Sequence, residues 1–363
     1  MIITLIILTI IIFLIIIFNK RAVPAFLYHQ VNPISNVSPE LFEEHLKVIK
    51  EYKMNTITIS EFYNKEVPTN SILLTFDDGY FDNYKYVFPL LKKYNMKATI
   101  FLNTLYIMDK RETEPEIKDN NTVNLEAMKE YIKSGKTTIN QYMSWEEIKE
   151  MYDSSLIDFQ AHSHKHMAMF VDTKIEGLTN KNRMEAPELY LYGELEDNFP
   201  VFPKRGEYTG KAILIKKEFF KVFKDFYEKN IENKVTNKNE ILKKSQEFID
   251  GNKEYFSIES ETDYKKRIKE DFLENKKIIE RNLGNEVKFF CWPWGHRSKE
   301  TIKVLGELGV VGFVSTKKGT NSMTANWDMI RRIELRNYSV KKFKINLLLT
   351  RNLILGKIYG WIS

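Results

Sequence analysis

Short apolar strands alternating with amphipathic helices are the feature that most constrains how this 363-residue chain folds. The strand "VPAFLYHQV" precedes the helical segment "SPELFEEHLKVIKEYK", and "ILLTF" and "KATIFLN" follow as further strands. A continuous apolar run such as "ILLTF" predicts a buried strand, and strands separated by helices in this way predict a parallel sheet with helical crossovers. In such α/β sheets the functional groups gather at the carboxyl ends of the strands.

Two adjacent carboxylates, Asp77 and Asp78, directly follow that apolar strand in "SILLTFDDGY". The predicted strand "LIDFQAHSHKHM" brings histidines to the same edge of the sheet. His162 and His166 are four residues apart, which predicts that they share one face of a helical turn. Two neutral imidazoles and a carboxylate from a neighbouring strand form a facial triad for a divalent ion. The alternative is a chance cluster of surface histidines.

The first segment, "MIITLIILTIIIFLIIIFNKR", carries no charged side chain from Met1 to Phe18. As a helix it would span roughly 27 Å at about 1.5 Å per residue, close to the ~30 Å hydrocarbon core of a bilayer. No small-residue cleavage motif follows, so the sequence predicts a retained single-pass membrane anchor over residues 1–21, with a buried core helix as the alternative. Lys20 and Arg21 favour a cytoplasmic body by the positive-inside rule.

Composition adds limited constraints on partners. The formal net charge of +6 is compatible with a membrane surface or an anionic glycan, and is too small to indicate binding to nucleic acid. Cys291 is the single cysteine, so no intrachain disulfide forms and the redox compartment stays open.

Two regions depart from the strand and helix alternation. Residues at about 171–262 are rich in Lys, Asn and Glu and are predicted to be an insertion. The basic amphipathic tail, residues 341–363, reads "KKFKINLLLTRNLILGKIYGWIS". It is interpreted either as an interfacial helix that lies against anionic lipid or as a helix that covers the domain.

Three segments in this order, "TFDDGY" (75–80), "HSHKH" (162–166) and "CWPWG" (291–295), resemble the motifs of the polysaccharide deacetylase family, carbohydrate esterase family 4, with its NodB-homology domain. "YHQV" (28–31) also resembles the family's first strand, and the pattern is most similar to poly-N-acetylglucosamine deacetylases. The resemblance implies a distorted (β/α) barrel over residues 22–340 and metal-dependent removal of N-acetyl groups from a glycan containing N-acetylglucosamine. An exopolysaccharide, peptidoglycan and a lipid-linked sugar all remain open as substrates.

The resemblance also assigns roles to the residues of the motifs. It implies that Asp77 is the general base and that Asp78, His162 and His166 are the metal ligands. Zn²⁺ is the expected ion, with Co²⁺, Ni²⁺ or Fe²⁺ as alternatives. The family uses a backbone N–H of its third motif to stabilise the oxyanion, and Trp294 best matches that donor.

Aromatic residues of the motifs are candidates for contact with the sugar. Tyr80 is expected to support the wall of the site, and Trp292 and Trp294 are expected to stack on sugar rings. The alternative for the two tryptophans is an ordinary place in the core.

The chain departs from the family at two positions. Cys291 stands where many members carry an arginine that orients the base, so Arg331 or Arg332 of "IRRIEL" is predicted to replace that arginine. The late histidine that protonates the leaving amine is also absent. His164, His296 and His29 are the candidates to replace it, and His29 is preferred because it lies near the carboxyl edge of a strand. Cys291 is not expected to act as a nucleophile, because no basic partner can be assigned to it.

The two departures motivate an alternative function, a non-catalytic, membrane-anchored glycan-binding protein that retains the fold. The preferred prediction remains a membrane-anchored enzyme. Action on an exported glycan implies an extracytoplasmic catalytic domain, although the flanking charges favour the opposite orientation.

Overall fold

The structure is a computed structural model that describes residues 2–18, 22–118, 126–127, 129–131, 133–135, 140–180, 188–189, 196–336 and 339–362. The helices are α1 (Ile2–Phe18), α2 (Pro39–Glu51), α3 (Ile59–Tyr63), α4 (Phe88–Tyr94), α5 (Trp145–Asp153), α6 (Glu218–Asn230), α7 (Lys238–Gly251), α8 (Glu261–Leu283), α9 (Lys299–Glu307), α10 (Val340–Thr350) and α11 (Leu353–Ile362). The strands are β1 (Ala22–Val23), β2 (Ala25–Tyr28), β3 (Asn55–Ile57), β4 (Ser71–Asp78), β5 (Ala98–Asn103), β6 (Ile157–Ser163), β7 (Ala168–Phe170), β8 (Gly177–Leu178), β9 (Pro200–Val201), β10 (Lys204–Gly206), β11 (Ile213–Ile215), β12 (Phe256–Ile258), β13 (Phe289–Cys291), β14 (Gly312–Val314), β15 (Asn321–Ser322) and β16 (Ile333–Glu334).

The centre of the fold is an 8-stranded sheet with the order β14-β13-β6-β5-β4-β2-β16, in which β3 also pairs with β4. Its strand pairs are parallel, and every residue of β4 is buried. The strands β14 and β16 end the order at opposite sides, and Ile330, just before β16, forms an isolated parallel bridge with Val314 of β14. The predicted α/β class and parallel sheet are therefore confirmed, and the distorted barrel takes the form of a half-barrel.

Local signals explain where the covering helices begin and end. The Ser38 side chain accepts the N–H of Leu41 at the start of α2, and Pro39 occupies the first turn. Ser144 forms the predicted capping box at the start of α5. Helix α8 ends at Gly284, whose φ of 67° is the left-handed conformation that favours glycine.

The chain between β6 and β13 builds a second hydrophobic cluster outside the main core. Its strands form antiparallel pairs, β10 with β7, β8 with β9 and β11 with β12. Aromatic side chains of α6 fill the cluster, with Phe219, Phe220 and Phe223 all buried. Apart from β7, these elements lie in the region predicted as an insertion, whose limits at about 171–262 remain a prediction.

The first helix does not support the predicted membrane anchor over residues 1–21. Helix α1 has 17 residues, so it measures about 26 Å at about 1.5 Å per residue. Among the described residues, none of the helices combines the length and the apolar character that crossing a membrane requires. Lys20 and Arg21, on which the predicted orientation depended, lie outside the described residues.

The predicted C-terminal tail contains two helices that pack against the domain. The ring of Phe343 in α10 lies 4.8 Å from Phe26 and 4.2 Å from His45, measured between ring centroids, and Phe343 is fully buried. In α11, Gly356 and Gly360 let the helix approach Thr320 and the Lys318 carbonyl closely. Helix α10 therefore agrees with the interpretation that the tail covers the domain. Membrane association of the tail is not supported.

Candidate active site

Asp77 and Asp78 are the last two residues of β4, at the carboxyl edge of the sheet where the sequence places them. The backbone turns sharply there, because Asp78 has a φ of 78° and Gly79 a φ of 83°. A Cβ added to Gly79 would lie 2.9 Å from Leu102 Cδ2, so glycine suits this turn both by conformation and by space. The turn ends the extended strand at the two carboxylates.

The structure brings Asp78, His162 and His166 into one group. Asp78 Oδ1 lies 3.4 Å from His162 Nε2 and 3.6 Å from His166 Nε2, and the three potential ligand atoms lie within 4.8 Å of one another. Tetrahedral coordination with ligands at about 2.1 Å places neighbouring ligand atoms about 3.4 Å apart. The donor set and its spacing therefore fit a divalent ion such as Zn²⁺.

The two histidines meet by a different route from the predicted helical turn. His162 belongs to β6, and the chain then bends through a turn in which His166 takes a left-handed conformation with φ of 53°. The two ring centroids are 4.9 Å apart. The two histidines are therefore close together, as predicted. The predicted helical turn is wrong, because the chain leaves a strand at this point.

Neighbouring groups orient the potential ligands. His162 Nδ1 lies 2.8 Å from the Cys291 carbonyl oxygen, to which it donates, so Nε2 faces Asp78. Asn103, the last residue of β5, donates from Nδ2 to Asp78 Oδ1 at 2.8 Å. The sequence analysis missed Asn103, although its place at the end of a strand next to β4 was a usable signal.

The ionisation states of Asp78 and His166 suit a cation, whereas at His162 the nearby Cys291 and Asp78 outweigh burial and raise the pKa, so a cation there must displace a proton. Burial opposes the charged form of Asp78, but the hydrogen bond with His162 and the charge of His166 outweigh it, so the pKa of Asp78 lies well below its ordinary value. Burial lowers the pKa of His166 to about 4. Near neutral pH the site therefore offers an ionised carboxylate and an unprotonated His166 imidazole.

Asp77 forms a buried ion pair with Arg332, on the loop that leads into β16. Arg332 Nη1 lies 2.7 Å from Asp77 Oδ1 and Nη2 lies 2.8 Å from Oδ2. Burial opposes the ionisation of Asp77, but the Arg332 charge outweighs it and the pKa of Asp77 is lowered. Arg331 instead donates to the Lys318 carbonyl, so Arg332 is the one of the two that contacts the predicted base.

Cys291 lies against the same ion pair. Its Sγ is 2.9 Å from Arg332 Nη2 and 3.3 Å from Asp77 Oδ2. Asp77, His162 and Cys291 form a second group with the spacing of metal ligands. A guanidinium that contacts two of its three members disfavours a cation there, since like charges repel strongly where water is excluded.

Of the three aromatic residues predicted to contact substrate, Trp294 alone is exposed. Its side chain is 46% exposed and its ring centroid lies 4.1 Å from that of His166. Trp292 is buried and stacks on Phe313 at 5.1 Å, and Tyr80 is buried and stacks on Tyr142 at 5.2 Å. Substrate contact by Trp292 or Tyr80 is therefore not supported, because both side chains are core aromatics.

His29, the candidate for the general acid, follows β2 at the same edge of the sheet. Its side chain is 30% exposed, and Nδ1 lies 3.8 Å from Glu334 Oε1. The charge of His29 contributes to the lowered pKa values of Asp77 and Asp78, which places it in the electrostatic neighbourhood of the site. Its role as an acid remains a prediction.

Comparison with known proteins adds a family match. The family model "Polysaccharide deacetylase" matches residues 64–198 and 229–313, which together make up more than half of the chain. The poly-beta-1,6-N-acetyl-D-glucosamine N-deacetylase of Staphylococcus aureus strain MSSA476 is 29% identical over 183 residues, covering 49% of this chain. The match covers 52% of that relative, so this chain spans about half of its length.

Solved structures share the fold at low sequence identity. A de-N-acetylase from Aggregatibacter actinomycetemcomitans superposes with a TM-score of 0.57 at 17% identity, over 89% of this chain and 99% of that one. IcaB from Ammonifex degensii superposes with a TM-score of 0.51 at 16% identity, over 90% of this chain and 97% of that one. These likenesses support the fold of the half-barrel.

Proposed function

This chain belongs to the polysaccharide deacetylase family, and we propose that it is a metal-dependent hydrolase that removes N-acetyl groups from a glycan containing N-acetylglucosamine. The observation that carries the proposal is the group of Asp78, His162 and His166 with the arginine-paired Asp77 beside it. A metal-binding group next to a second, ionised carboxylate is the arrangement that amide hydrolysis by an activated water requires.

Each residue of the group has a distinct task in this proposal. Asp78, His162 and His166 would hold a divalent ion, which when bound would polarise the amide carbonyl and make the attacking water more acidic. Asp77 accepts the proton of the attacking water, and Arg332 keeps the Asp77 carboxylate ionised and fixes its orientation. Such pairing through both oxygens is the geometry for which a guanidinium is suited.

Two further tasks fall to residues at the rim of the site. The backbone N–H of Trp294 stabilises the developing oxyanion, and its exposed ring offers a flat apolar surface to a sugar. His29 returns a proton to the leaving amine. Zn²⁺ is the preferred ion, and Co²⁺, Ni²⁺ and Fe²⁺ suit the same nitrogen and oxygen donors.

The proposed substrate class is supported by the name of a relative. The relative's name states that it acts on poly-β-1,6-N-acetyl-D-glucosamine, and this supports a polymer of N-acetylglucosamine as the substrate here. The insertion supplies a side wall, since Gly206 of β10 lies directly against the Trp294 ring. A peptidoglycan strand and a lipid-linked sugar share the same acetamido group and are the alternatives.

The test is acetate release from N-acetylglucosamine oligomers by the purified full chain. The protein is stripped with a chelator and assayed alone, with Zn²⁺ and with Co²⁺, next to Asp77→Asn and His162→Ala. We expect release that returns with metal, and no release by either variant. Asp77→Asn should still bind metal, whereas His162→Ala should not, because of these two replaced residues only His162 is a proposed ligand.

Retained turnover in Asp77→Asn would refute the assignment of the base. Full activity of the chelated protein would refute the role of the metal. Binding of the oligomers without release at any metal loading would favour the non-catalytic glycan-binding alternative.

A further inference from the structure

The loop that connects the two histidines is held by hydrogen bonds from outside its own strand. His166 adopts a left-handed backbone with φ of 53°, which costs roughly 1–2 kcal/mol for a residue other than glycine. Within the loop, the Ser163 hydroxyl accepts the His166 N–H at 2.8 Å. From outside the loop, the Leu105 N–H donates to the His164 carbonyl and the Tyr106 hydroxyl donates to the Lys165 carbonyl. Further support comes from two distant carboxyl groups, those of Asp271 and Glu207.

Asp271 of helix α8 lies behind the loop and is 4% exposed. Its Oδ1 accepts the N–H of His164 at 2.9 Å, and its Oδ2 accepts the N–H of Lys165 at 3.1 Å. The hydroxyl of Tyr208 also donates to Oδ1. One buried carboxylate thus ties two consecutive backbone groups of the loop to a long helix.

Asn275, one turn further along α8, extends the same contact. Its Nδ2 donates to the carbonyl oxygen of Leu102 at 2.9 Å and to Thr104 Oγ1 at 3.0 Å, and it also donates to the Ser163 carbonyl. Because residues four apart share a helix face, Asp271 and Asn275 present one polar face to the ends of β5 and β6.

Glu207 reaches the loop from the region of the predicted insertion. Its Oε1 accepts the N–H of Met167 at 3.2 Å, and its own N–H donates to the Met167 carbonyl at 2.9 Å. Glu207 is 3% exposed, and Arg267 Nη1 donates to its carbonyl at 2.8 Å. Glu207 and its neighbour Tyr208 therefore connect the inserted segment to the histidine loop.

We propose that Asp271 and Glu207 are positioning residues that hold the loop in the one conformation in which His166 Nε2 lies beside Asp78. The inserted segment then forms part of the frame of the metal centre, in addition to being a wall of the substrate site. The inference rests on the proposed metal site. Both carboxyl groups bond to the backbone of the loop, so both act through the ligand His166.

The variant that tests this is Asp271→Asn, which keeps the side-chain shape but turns one acceptor into a donor facing a backbone N–H. The matched control is Asp158→Asn. Asp158 is a half-buried carboxylate that also accepts a backbone and a hydroxyl donor, from Ser60, but it lies at the amino end of β6. Zn²⁺ and Co²⁺ affinities are measured by chelator competition, the Co²⁺ absorption spectrum reports ligand geometry, and urea unfolding of the metal-free proteins reports stability.

We expect Asp271→Asn to bind both metals about 10- to 100-fold more weakly than the native protein, with a changed Co²⁺ spectrum. The control should lose stability and keep the native affinity and spectrum. A folded Asp271→Asn with native affinity and spectrum would overturn the inference. If Asp271→Asn does not fold, Tyr208→Phe, which removes a donor to Asp271, and Glu207→Met, which removes the acceptor of the Met167 N–H, decide by the same readouts. A native protein that binds neither metal would instead refute the proposed function.

Discussion

Replacing Arg332 by methionine should destabilise the protein strongly and in a pH-dependent way. The native guanidinium is 0% exposed and meets both oxygens of Asp77, which is 2% exposed. Methionine would fill much of the space but leave a buried carboxylate without a counter-charge. Breaking a buried ion pair in this way costs about 3–5 kcal/mol of the free energy of unfolding.

The direction of the pH dependence follows from the pKa of Asp77. In the native protein it lies below the ordinary 3.8, so its stabilising contribution is present above that pH and is lost as the pH falls through the folded-state pKa. Without Arg332, burial is opposed only by the charges of His162 and His29, and we expect the pKa of Asp77 to rise. The variant therefore loses the most free energy of unfolding at neutral pH. The difference in this free energy between the variant and the native protein becomes smaller as the pH falls.

The measurement is urea unfolding of the metal-free proteins at pH 7 and pH 5, with the pH profile of acetate release as a second readout. The acidic limb of the profile should move to higher pH in Arg332→Met, because a base must be ionised to work. Arg331→Met is the matched control. Its guanidinium contacts a carbonyl oxygen at the surface, and its loss should change stability by less than about 0.5 kcal/mol. Equal stabilities of Arg332→Met and the native protein at pH 7 would refute the reasoning.

Three further outcomes are expected. Trp294→Ala should raise KM for the oligomers with little loss of stability, since the side chain is half exposed. Trp292→Ala should cost about 3–5 kcal/mol of the free energy of unfolding in urea, since its ring is buried. The reverse pattern would contradict both placements. Cys291→Ala should retain most of the acetate release, because its thiol contacts the Asp77 ion pair as a neighbour, and a complete loss in a folded variant would indicate a chemical role. Because burial lowers the pKa of His166 to about 4, protons should compete with Zn²⁺ for this ligand only as the pH approaches 4. Chelator competition at a series of pH values measures this. A decrease in Zn²⁺ affinity that begins near pH 6.5 and is absent from His166→Ala would contradict that placement.

Features of the fold that depend on neighbouring residues in the chain could be predicted from the sequence. The apolar run of β4 indicated a strand buried on both faces, and the Ser144 capping box and the Gly284 stop marked the ends of helices correctly. The position of Asp77 and Asp78 followed from the geometry of parallel sheets, in which strand ends meet at one edge. These predictions required no knowledge of distant contacts.

Other features depend on contacts that spacing does not reveal. A separation of four residues suggests a helical turn, but the strand that ends at Ser163 takes the chain into a different turn before His166. Arg331 and Arg332 are adjacent residues of the same type, so the sequence does not show which of them contacts Asp77. The direction of each side chain in the fold decides it. Asp271 lies in a highly charged amphipathic helix, where the sequence gives no sign that one carboxylate is buried.

The left-handed backbone at Asp78 and His166 has a consequence for laboratory evolution of this protein. Glycine, and to a lesser degree asparagine, adopts that conformation with less penalty than most residues do. A library selected only for heat resistance should therefore accumulate His166→Gly, which relieves the backbone, more readily than Asp78→Gly, which also leaves the buried Asn103 amide without its acceptor. Such a selection would enrich variants that have lost a proposed metal ligand. A screen for a more thermostable form must therefore select for acetate release in every round.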